Sequence, residues 1–337
     1  MKSAAVLGAV IVIGFVQGSS VNAASFSCAK ASTAQEKLIC ATPELSKLDD
    51  RLAAQFRITL SNVSADGKKG LRTSQQSWLS FVRTVCAVND RGTETADCLK
   101  TVYEQRIAFL AHAVFRNGHY RFIQIDRYLA VKDSEVSSRF FPGYATWHQI
   151  FPEMDGNRIR DPLTRQWNAE RGFKNKLEAD PDPVRSCTDN EDLAEVTFAS
   201  AHFISVRMRW VQTCGAVTEG RLSGAVFVAT PQGPRKLVPE DLFKPETRWF
   251  DVVAPAVIES CRSATGENFS QEFADETDAA VRALHSLIMT DDGIEISHTV
   301  DNGSLHPPYC SAQFSWHQLR PYLVRYPFDR IYNDRVQ

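Results

Sequence analysis

Residues 28–49, CAKASTAQEKLICATPELSKLD, determine the fold of the first part of this 337-residue chain. Thr33-Ala34-Gln35-Glu36 matches a capping box, in which threonine and glutamate side chains bond two main-chain amides at a helix start. Thr42-Pro43-Glu44 predicts a second start, because proline fits the first helical position and an acidic residue favours the positive end of the helix dipole. The stretch therefore predicts a short helix that ends near Cys40 and a longer helix directly after it.

Three amphipathic helices are predicted from Thr42 onward. The first starts there, the second covers residues 68–86 beyond the break at Asp66-Gly67, and the third covers residues 96–115. In each, apolar residues recur at intervals of three and four, which places them on one helix face. We predict an all-α three-helix domain over residues 24–115.

The cysteines form two sets of four, separated by almost ninety residues. All of them lie beyond residue 27: Cys28, Cys40, Cys86, Cys98, Cys187, Cys214, Cys261 and Cys310. An even number in an exported chain predicts disulfides, and a small helical core gains from them. Spacing favours the local pairs Cys28–Cys40 and Cys86–Cys98, although crossed pairings stay open. The second set should pair within itself. Because no Cys-x-x-Cys pair occurs, we expect no zinc site, no other metal and no cofactor.

The first 23 residues predict a cleaved signal peptide. Lys2 gives the positive start, residues 4–16 are apolar, and Val21-Asn22-Ala23 offers small side chains for a signal peptidase. The apolar run is shorter than the roughly 20 residues that a membrane span needs. The residues before Cys28 do not form a lipoprotein motif, since Phe26 is bulky. We expect a periplasmic or secreted protein without a membrane anchor after cleavage.

Charge is unevenly shared along the chain. Residues 24–115 carry 12 Lys and Arg against 9 Asp and Glu, a formal charge of +3, whereas residues 116–337 carry 25 against 31, a formal charge of −6. No basic cluster of the kind that holds nucleic acid occurs, so we expect no nucleic-acid partner. The acidic second part is compatible with a basic protein partner.

Residues 117–337 predict a second domain, an α+β fold with an antiparallel sheet. Strands are predicted at 122–125, 128–131, 196–211, 222–229, 236–238 and 294–298, and helices at 163–173, 270–289 and 316–323. Turns such as Gly233-Pro234 and Asp292-Gly293 connect them. Strands interrupted by helices and joined by tight turns are typical of α+β proteins.

No catalytic motif occurs in the sequence. A Gly-x-Ser-x-Gly elbow, a His-Glu-x-x-His pair and a phosphate-binding glycine loop are all absent from it. The acidic pairs Glu240-Asp241 and Asp291-Asp292 lie in turn-like contexts. His202, His285 and His298 form a catalytic set only if the fold brings them together. We predict that the protein is not an enzyme, although a glycosidase pair of distant carboxylates stays open.

The first part resembles the N-terminal module of LprI-type lysozyme inhibitors over nearly all of residues 28–112. The resemblance rests on the stretch quoted above and on a later signature: Gln75-x-x-Trp78-Leu79, Arg83, Cys86, Cys98-Leu99 and Tyr103-x-x-Arg106-Ile107. It implies a lysozyme as protein partner. We expect Trp78 in the core and a structural ion pair between Asp49 and Arg106. Gln75 and Arg83 face either a partner or solvent.

Residues 117–330 resemble the extracellular lysozyme-binding domain of RsiV-type anti-sigma factors. The matching pieces are a strand ending near Gly215, the segment from Gly233 to Phe243, the strand start at Gly293-Ile294, and the segment from Ser315 to Tyr322. Where that family carries Gly-Gly-Ala-His, this chain has Cys214-Gly215-Ala216-Val217. No binding residue is carried over from the resemblance.

The sequence thus predicts an exported bacterial envelope protein that inhibits or senses a lysozyme by protein–protein contact. One alternative is a structural or ligand-sensing envelope protein without lysozyme affinity, and a less favoured one is a cell-wall hydrolase. The even cysteine sets and opposite charges predict that each half has its own core, so that residues 24–115 fold alone and the acidic half attracts a basic lysozyme. Contact residues and oligomeric state are not indicated.

Overall fold

The structure is a computed structural model. It describes residues 24–87, 92–137, 141–156, 162–169, 189–214, 217–230, 232–266, 269–299 and 309–324. The predicted signal peptide, residues 1–23, and Cys187 lie outside the described residues.

Residues 28–112 are helical throughout their described part. A 3-10 turn, Cys28–Lys30, precedes α1 (Ala34–Ala41), α2 (Pro43–Ser61), α3 (Ala65–Val85) and α4 (Gly92–His112). Pro43 separates α1 from α2, so the short helix and the three longer ones are distinct elements. The prediction of an all-α first part is confirmed.

The capping box forms as the sequence predicts. Thr33 Oγ1 accepts from the Glu36 N–H at 3.1 Å, and Glu36 Oε2 accepts from the N–H groups of Thr33 and Ser32 at 2.9 and 2.7 Å. The hydrogen bonds from the main chain of Thr33 and Ser32 lower the pKa of Glu36 to about 2. The carboxylate therefore stays ionised over nearly the whole pH range and holds the start of α1.

A seven-stranded sheet follows the helices, with its strands in sequence order. The strands are β1 (Val114–Asn117), β2 (Tyr120–Ser137), β3 (Pro142–Met154), β4 (Asp189–Ala199), β5 (Phe203–Cys214), β6 (Val217–Thr230) and β7 (Gly233–Lys236). All neighbours are antiparallel except β3 and β4, which are parallel. The short helix α5 (Pro162–Ala169) lies in the connection between those two. The predicted α+β fold with a mostly antiparallel sheet is confirmed.

A smaller sheet and its helices complete the second part. The strands are β8 (Leu287–Met289), β9 (Gly293–Thr299) and β10 (Tyr309–Ser315), in the order β10–β9–β8, and the helices are α6 (Pro239–Leu242), α7 (Phe250–Thr265), α8 (Gln271–Arg282) and α9 (Trp316–Leu319). The apolar faces of α7 and α8 bury Val253, Val257 and Val281 against Ile294 and Ile296 of β9.

The two sheets meet where β8 approaches β6 at Gly224. A Cβ atom at this position would overlap the Leu287 carbonyl, so only glycine allows the approach. The Gly224 N–H donates to Ser286 Oγ at 2.8 Å, and the Met289 N–H donates to Ser205 Oγ at 2.8 Å. Side-chain hydroxyls therefore take up main-chain amides at the contact between the sheets.

Several elements differ from the sequence prediction: the predicted strands 122–125 and 128–131 form the single strand β2, and β1 and β10 were not predicted. Residues 196–211 belong to two strands, because Ser200 Oγ accepts two main-chain amides and turns the chain between β4 and β5. Strand β3 was not predicted; its residues from 145 to 154 are mostly buried on both faces, which removes the alternating pattern. Helix α7 was not predicted either, because Pro255 lies inside it. The predicted helix 270–289 ends at Arg282, since Leu284 has φ 47°, and the apolar run after it is β8.

The helices and the large sheet share a hydrophobic core. Of three clusters found among the described residues, one holds Val63 and Leu71 from the helical part together with Phe122, Ile123 and Phe151 from the sheet. This cluster contains residues of both halves, so the prediction that each half has a core of its own is wrong here. Strand β1 also crosses the predicted boundary at residues 115–117. The domain boundaries themselves remain a prediction.

Both predicted local disulfides are present. Cys28–Cys40 joins the 3-10 turn to α1, and Cys86–Cys98 bridges the connection from α3 to α4, each with Cα atoms 5.7 Å apart. A third disulfide, Cys261–Cys310, ties α7 to β10.

The fourth disulfide is a prediction. Because Cys261 and Cys310 are already paired, the expectation that the second set pairs within itself requires a Cys187–Cys214 bond. Peptide mapping of the unreduced mature protein should recover that linked peptide and no free thiol. A free cysteine, or a linkage between the two sets, would contradict the prediction.

Candidate functional site

The residues of the LprI-like signature point inward and build the helical core. Trp78 of α3 is 2 % exposed, and its ring packs edge-on against Tyr103 of α4 with centroids 5.2 Å apart. The guanidinium of Arg106 lies over the Trp78 ring, 5.7 Å from its centroid. The prediction that Trp78 is a core residue is confirmed.

Arg106 forms a fully buried ion pair with Asp126 of β2. Arg106 Nη1 lies 2.6 Å from Asp126 Oδ2, and neither side chain is accessible to solvent. The remaining guanidinium donors reach α3: Nη2 donates to Ser74 Oγ at 2.8 Å, and Nε donates to Gln75 Oε1 at 3.0 Å. Ser74 in turn donates to the second oxygen of Asp126. The two charges are therefore compensated by each other and by hydrogen bonds.

This polar cluster joins three elements of the fold. Ser74 and Gln75 come from α3, Arg106 from α4 and Asp126 from β2. Next to it, Ser77 Oγ accepts from the Tyr128 N–H at 2.9 Å and lies 3.1 Å from the Tyr128 carbonyl. Strand β1 pairs only with residues 120–123 of β2. Helix α3 therefore takes up main-chain groups on the edge of β2 that no strand covers.

The ionisation of Asp126 follows from its neighbours. Burial opposes the charged form, but the His148 ring, the Arg106 guanidinium and the Ser74 hydroxyl outweigh it and hold the pKa of Asp126 below its ordinary value. His148 Nε2 lies 3.9 Å from Asp126 Oδ2, and the His148 ring stacks on Tyr128 at 4.1 Å. Burial and the Asp126 charge raise the pKa of Tyr128 well above its usual range. At neutral pH the cluster thus holds an anion, a cation and a neutral phenol.

The predicted ion pair between Asp49 and Arg106 is wrong. Asp49 accepts instead from the N–H and hydroxyl of Ser25, at 2.8 and 2.5 Å, and from the Tyr103 hydroxyl at 3.4 Å. Burial and the Asp49 charge raise the pKa of Tyr103, which keeps the phenol a donor. Asp49 therefore anchors the start of the described chain, while the true partner of Arg106 comes from the sheet.

Few signature residues of α3 are exposed to solvent. Gln75, expected to face a partner or solvent, bonds Arg106 inside the cluster. Leu79, at 40 % exposure, and Arg83 are the signature residues of α3 that point outward. Most signature residues therefore pack in the core, and few of them are exposed for contact with a partner.

The three histidines considered as a catalytic set lie on different elements: His298 on β9, His285 in the turn after α8, and His202 in the turn after β4. His298 of β9 lies 3.8 Å from Glu276 of α8, and burial lowers the pKa of His298, with a further lowering by His285. His202 lies in the turn between β4 and β5. A histidine beside one exposed glutamate is a surface pair with no built catalytic geometry.

The acidic pairs have structural contacts. Asp241 accepts two hydrogen bonds from Arg235 and one from the Val238 N–H, where it caps α6. The bond from Arg235 holds the pKa of Asp241 below its ordinary value. Asp291 and Asp292 lie exposed in the turn between β8 and β9. The Asp241 carboxylate therefore stabilises the turn before α6, as its sequence context predicts.

Helix α8 carries an exposed acidic face. Glu272, Asp275 and Glu276 are exposed there, whereas Asp278 pairs with Arg282 at 2.5 Å. Glu272 has no basic side chain within ion-pair distance among the described residues.

Two observations, on metal-binding groups and on membrane-spanning helices, concern only the described part of the chain. Within it, no group of three or more His, Cys, Asp or Glu side chains is placed to hold a metal ion. No helix in the same ranges is long and apolar enough to cross a membrane.

The buried ion pair generates a stability prediction. We expect Asp126→Ala to lower the free energy of unfolding by about 3–5 kcal/mol, because Arg106 is left as an uncompensated buried charge. The double variant Arg106→Met/Asp126→Leu should lose less than Asp126→Ala alone, since it removes both charges. Urea denaturation of residues 24–337 measures this. The exposed pair Asp278–Arg282 is the control, and Asp278→Ala should cost at most about 1 kcal/mol.

The lowered pKa of Asp126 generates a pH prediction. The unfolded carboxyl titrates near pH 4, at about its ordinary value. Because the folded pKa is lower, the stabilisation is complete above that pH and is lost as pH falls through the folded value. The difference in unfolding free energy between the natural protein and Asp126→Asn should therefore be largest at pH 7 and shrink below pH 4. A difference that grows on acidification would contradict the assignment.

Comparisons with known proteins agree with the first part of the fold. Residues 28–110 match the family model described as Lysozyme inhibitor LprI. A search of curated proteins gives no match to the chain. A DUF3298 family member from Bacteroides fragilis is 10% identical over 65% of this chain and 100% of its own, with a TM-score of 0.38. A DUF3298 family protein from Pseudomonas aeruginosa is 9% identical over 60% and 94%, with a TM-score of 0.35. Scores this low establish neither a shared fold nor a shared function.

The family match and the geometry coincide in the same segment. The matched range contains both local disulfides, the Trp78–Tyr103 core contact and Arg106. Residues 28–110 are therefore the part of the chain that is similar to the LprI lysozyme-inhibitor family.

Proposed function

We propose that this chain is an exported envelope protein that binds a lysozyme and inhibits it by protein–protein contact. The observation that carries the proposal is the LprI family match over residues 28–110. The three disulfides support the exported location, because such bonds persist in oxidising compartments. In this proposal the protein is not an enzyme, and it acts without a metal, a cofactor or nucleic acid.

Rigidity favours such a binding role. Two disulfides fix the helical domain, and the buried Arg106–Asp126 pair fixes it to β2. A preorganised surface loses less conformational entropy on binding than a flexible one. An inhibitor of this class needs only to cover the substrate cleft of the lysozyme.

Electrostatic attraction is proposed to come from the acidic second part. Lysozymes are typically basic, and residues 116–337 carry a formal charge of −6. The exposed carboxylates Glu272 and Asp275 of α8 contribute to this charge. Complementary charge raises association rates more than it raises affinity, and salt screens it beyond about 8–10 Å.

Two alternatives are distinguished by one assay. A structural or ligand-sensing envelope protein leaves lysozyme activity unchanged, and a cell-wall hydrolase clears cell walls without added lysozyme. We expect residues 24–337 to slow the clearing of labelled cell walls by lysozyme, and to clear none when added alone. Heat-unfolded, reduced protein is the control for nonspecific effects. An unchanged clearing rate would favour the first alternative.

The charge argument has its own test in the full mature chain. Glu272→Lys/Asp275→Lys on α8 should slow lysozyme association at low salt, and the difference should shrink at physiological salt. Asp97→Lys/Glu104→Lys on α4 makes the same charge change on an exposed face of the LprI domain. If only the α4 variant slows association, the attracting surface lies on the helical domain and the charge argument is wrong.

A further inference from the structure

A solvent-open groove lies where the helical domain joins the large sheet. It has a volume of about 340 Å³ and is lined by the last turns of α2 and α4, by residues 114–116 of β1 and by Arg121 of β2. Ile58 of α2 lies in it with 55 % of its surface exposed, the highest value among the large apolar residues exposed in the described chain. We call this feature the α2–β1 groove. The groove has not been assigned a role above.

The strand that borders the groove has a free edge. Strand β1 is the first strand of the seven-stranded sheet and pairs only with β2. The Gln124 N–H donates to the Ala113 carbonyl, while the Arg121 carbonyl accepts from Asp155 on the other side of β2. In an antiparallel ladder, hydrogen-bonded and non-hydrogen-bonded pairs alternate. The N–H and C=O groups of Val114 and Arg116 therefore point away from β2, toward the free edge.

Positive charge is concentrated on one face of this edge. Arg116 and Arg121 are directly opposite each other in the β1–β2 ladder. Like charges in opposite positions destabilise a sheet. Arg121 is offset by Asp155 at 3.5 Å, whereas no described residue forms an ion pair with the exposed Arg116. An anion bound at Arg116 would offset its charge, as Asp155 offsets that of Arg121.

The charge pattern selects among possible occupants. A second copy pairing antiparallel through β1 would bring the two Arg116 side chains onto one sheet face close to each other, where they repel. An extended segment with carboxylates would instead pair with the edge through main-chain hydrogen bonds and with the arginines through its side chains. The intervening apolar side chains of that segment would lie on the opposite face, beside Phe115.

We propose that the free edge of β1 binds an extended acidic and apolar segment of a partner protein as an added antiparallel strand. Carboxylates of the segment contact Arg116 and Arg121, and its apolar side chains pack on the opposite face beside Phe115, which borders the groove. This surface is separate from α8, and the proposal does not require the partner to be a lysozyme.

The test uses labelled octapeptides and the full mature chain. The first probe alternates aspartate and valine, and the second carries lysine in place of aspartate. We expect fluorescence anisotropy to show saturable binding of the acidic probe and none of the lysine probe. Absence of acidic-probe binding, or equal binding of both probes, would overturn the proposal.

Strand addition makes a sharper prediction about main-chain amides. In an antiparallel pair, two residues that exchange hydrogen bonds have their side chains on the same face of the sheet. If the aspartates lie on the same face as Arg116, their main-chain amides therefore point at β1. N-methylation of the aspartate amides should weaken binding at least about tenfold, a loss of about 1.4 kcal/mol. N-methylation of the valine amides should have little effect. Any other pattern contradicts an added antiparallel strand.

Variants of the protein complete the test. Arg116→Ala should weaken binding of the acidic probe at least about tenfold. Arg57→Ala is the matched control, since Arg57 is exposed on α2 but does not line the groove. Equal affinities of the two variants would overturn the proposal, as would light scattering that shows a dimer lost in Arg116→Ala.

Discussion

The buried ion pair between Arg106 and Asp126 connects two parts of the chain that differ in architecture. Arg106 belongs to the last helix of the LprI domain, and Asp126 belongs to the longest strand of the sheet. Removing two charges from water is costly, so the pair is tolerated only because Ser74 and Gln75 satisfy the remaining donors and acceptors. The helices and the sheet must therefore be assembled together for either charge to be compensated.

The same pair restricts how β2 can sit against the helices. Successive side chains of a strand alternate between faces, so a shift of one residue would turn Asp126 away from Arg106. Ser77 adds a second constraint, because its hydroxyl bonds the main chain of Tyr128 two residues later. The shared core of Val63 and Leu71 with Phe122 and Ile123 supplies apolar burial on the same interface. Apolar packing alone would allow sliding, whereas the polar contacts are specific to one register.

Local signals predicted the helical part well, and the sheet less well. The capping box, the proline at the start of α2 and the two disulfides depend on residues close in sequence, and all of them form. Strand β3 was missed because burial on both faces removes the alternating pattern of a strand. Helix α7 was missed because Pro255 lies inside it. The partner of Arg106 was assigned to Asp49 for a related reason. A buried arginine needs a carboxylate, but the sequence does not show whether that carboxylate comes from another helix or from the sheet.

Most signature residues point into the core. They therefore account for the family resemblance but do not determine which partner binds. Trp78, Tyr103 and Arg106 identify an LprI domain because they build its core and its attachment to β2, and these roles do not depend on what the surface binds. The two proposed contact surfaces consist of other residues: the carboxylates of α8 and the free edge of β1. Surface residues of this kind change without cost to the core, since substitutions away from buried networks usually alter stability by less than about 0.5 kcal/mol. Proteins that share this signature can therefore share a fold while differing in the partner they bind, and the residues that select a partner have to be sought outside the signature.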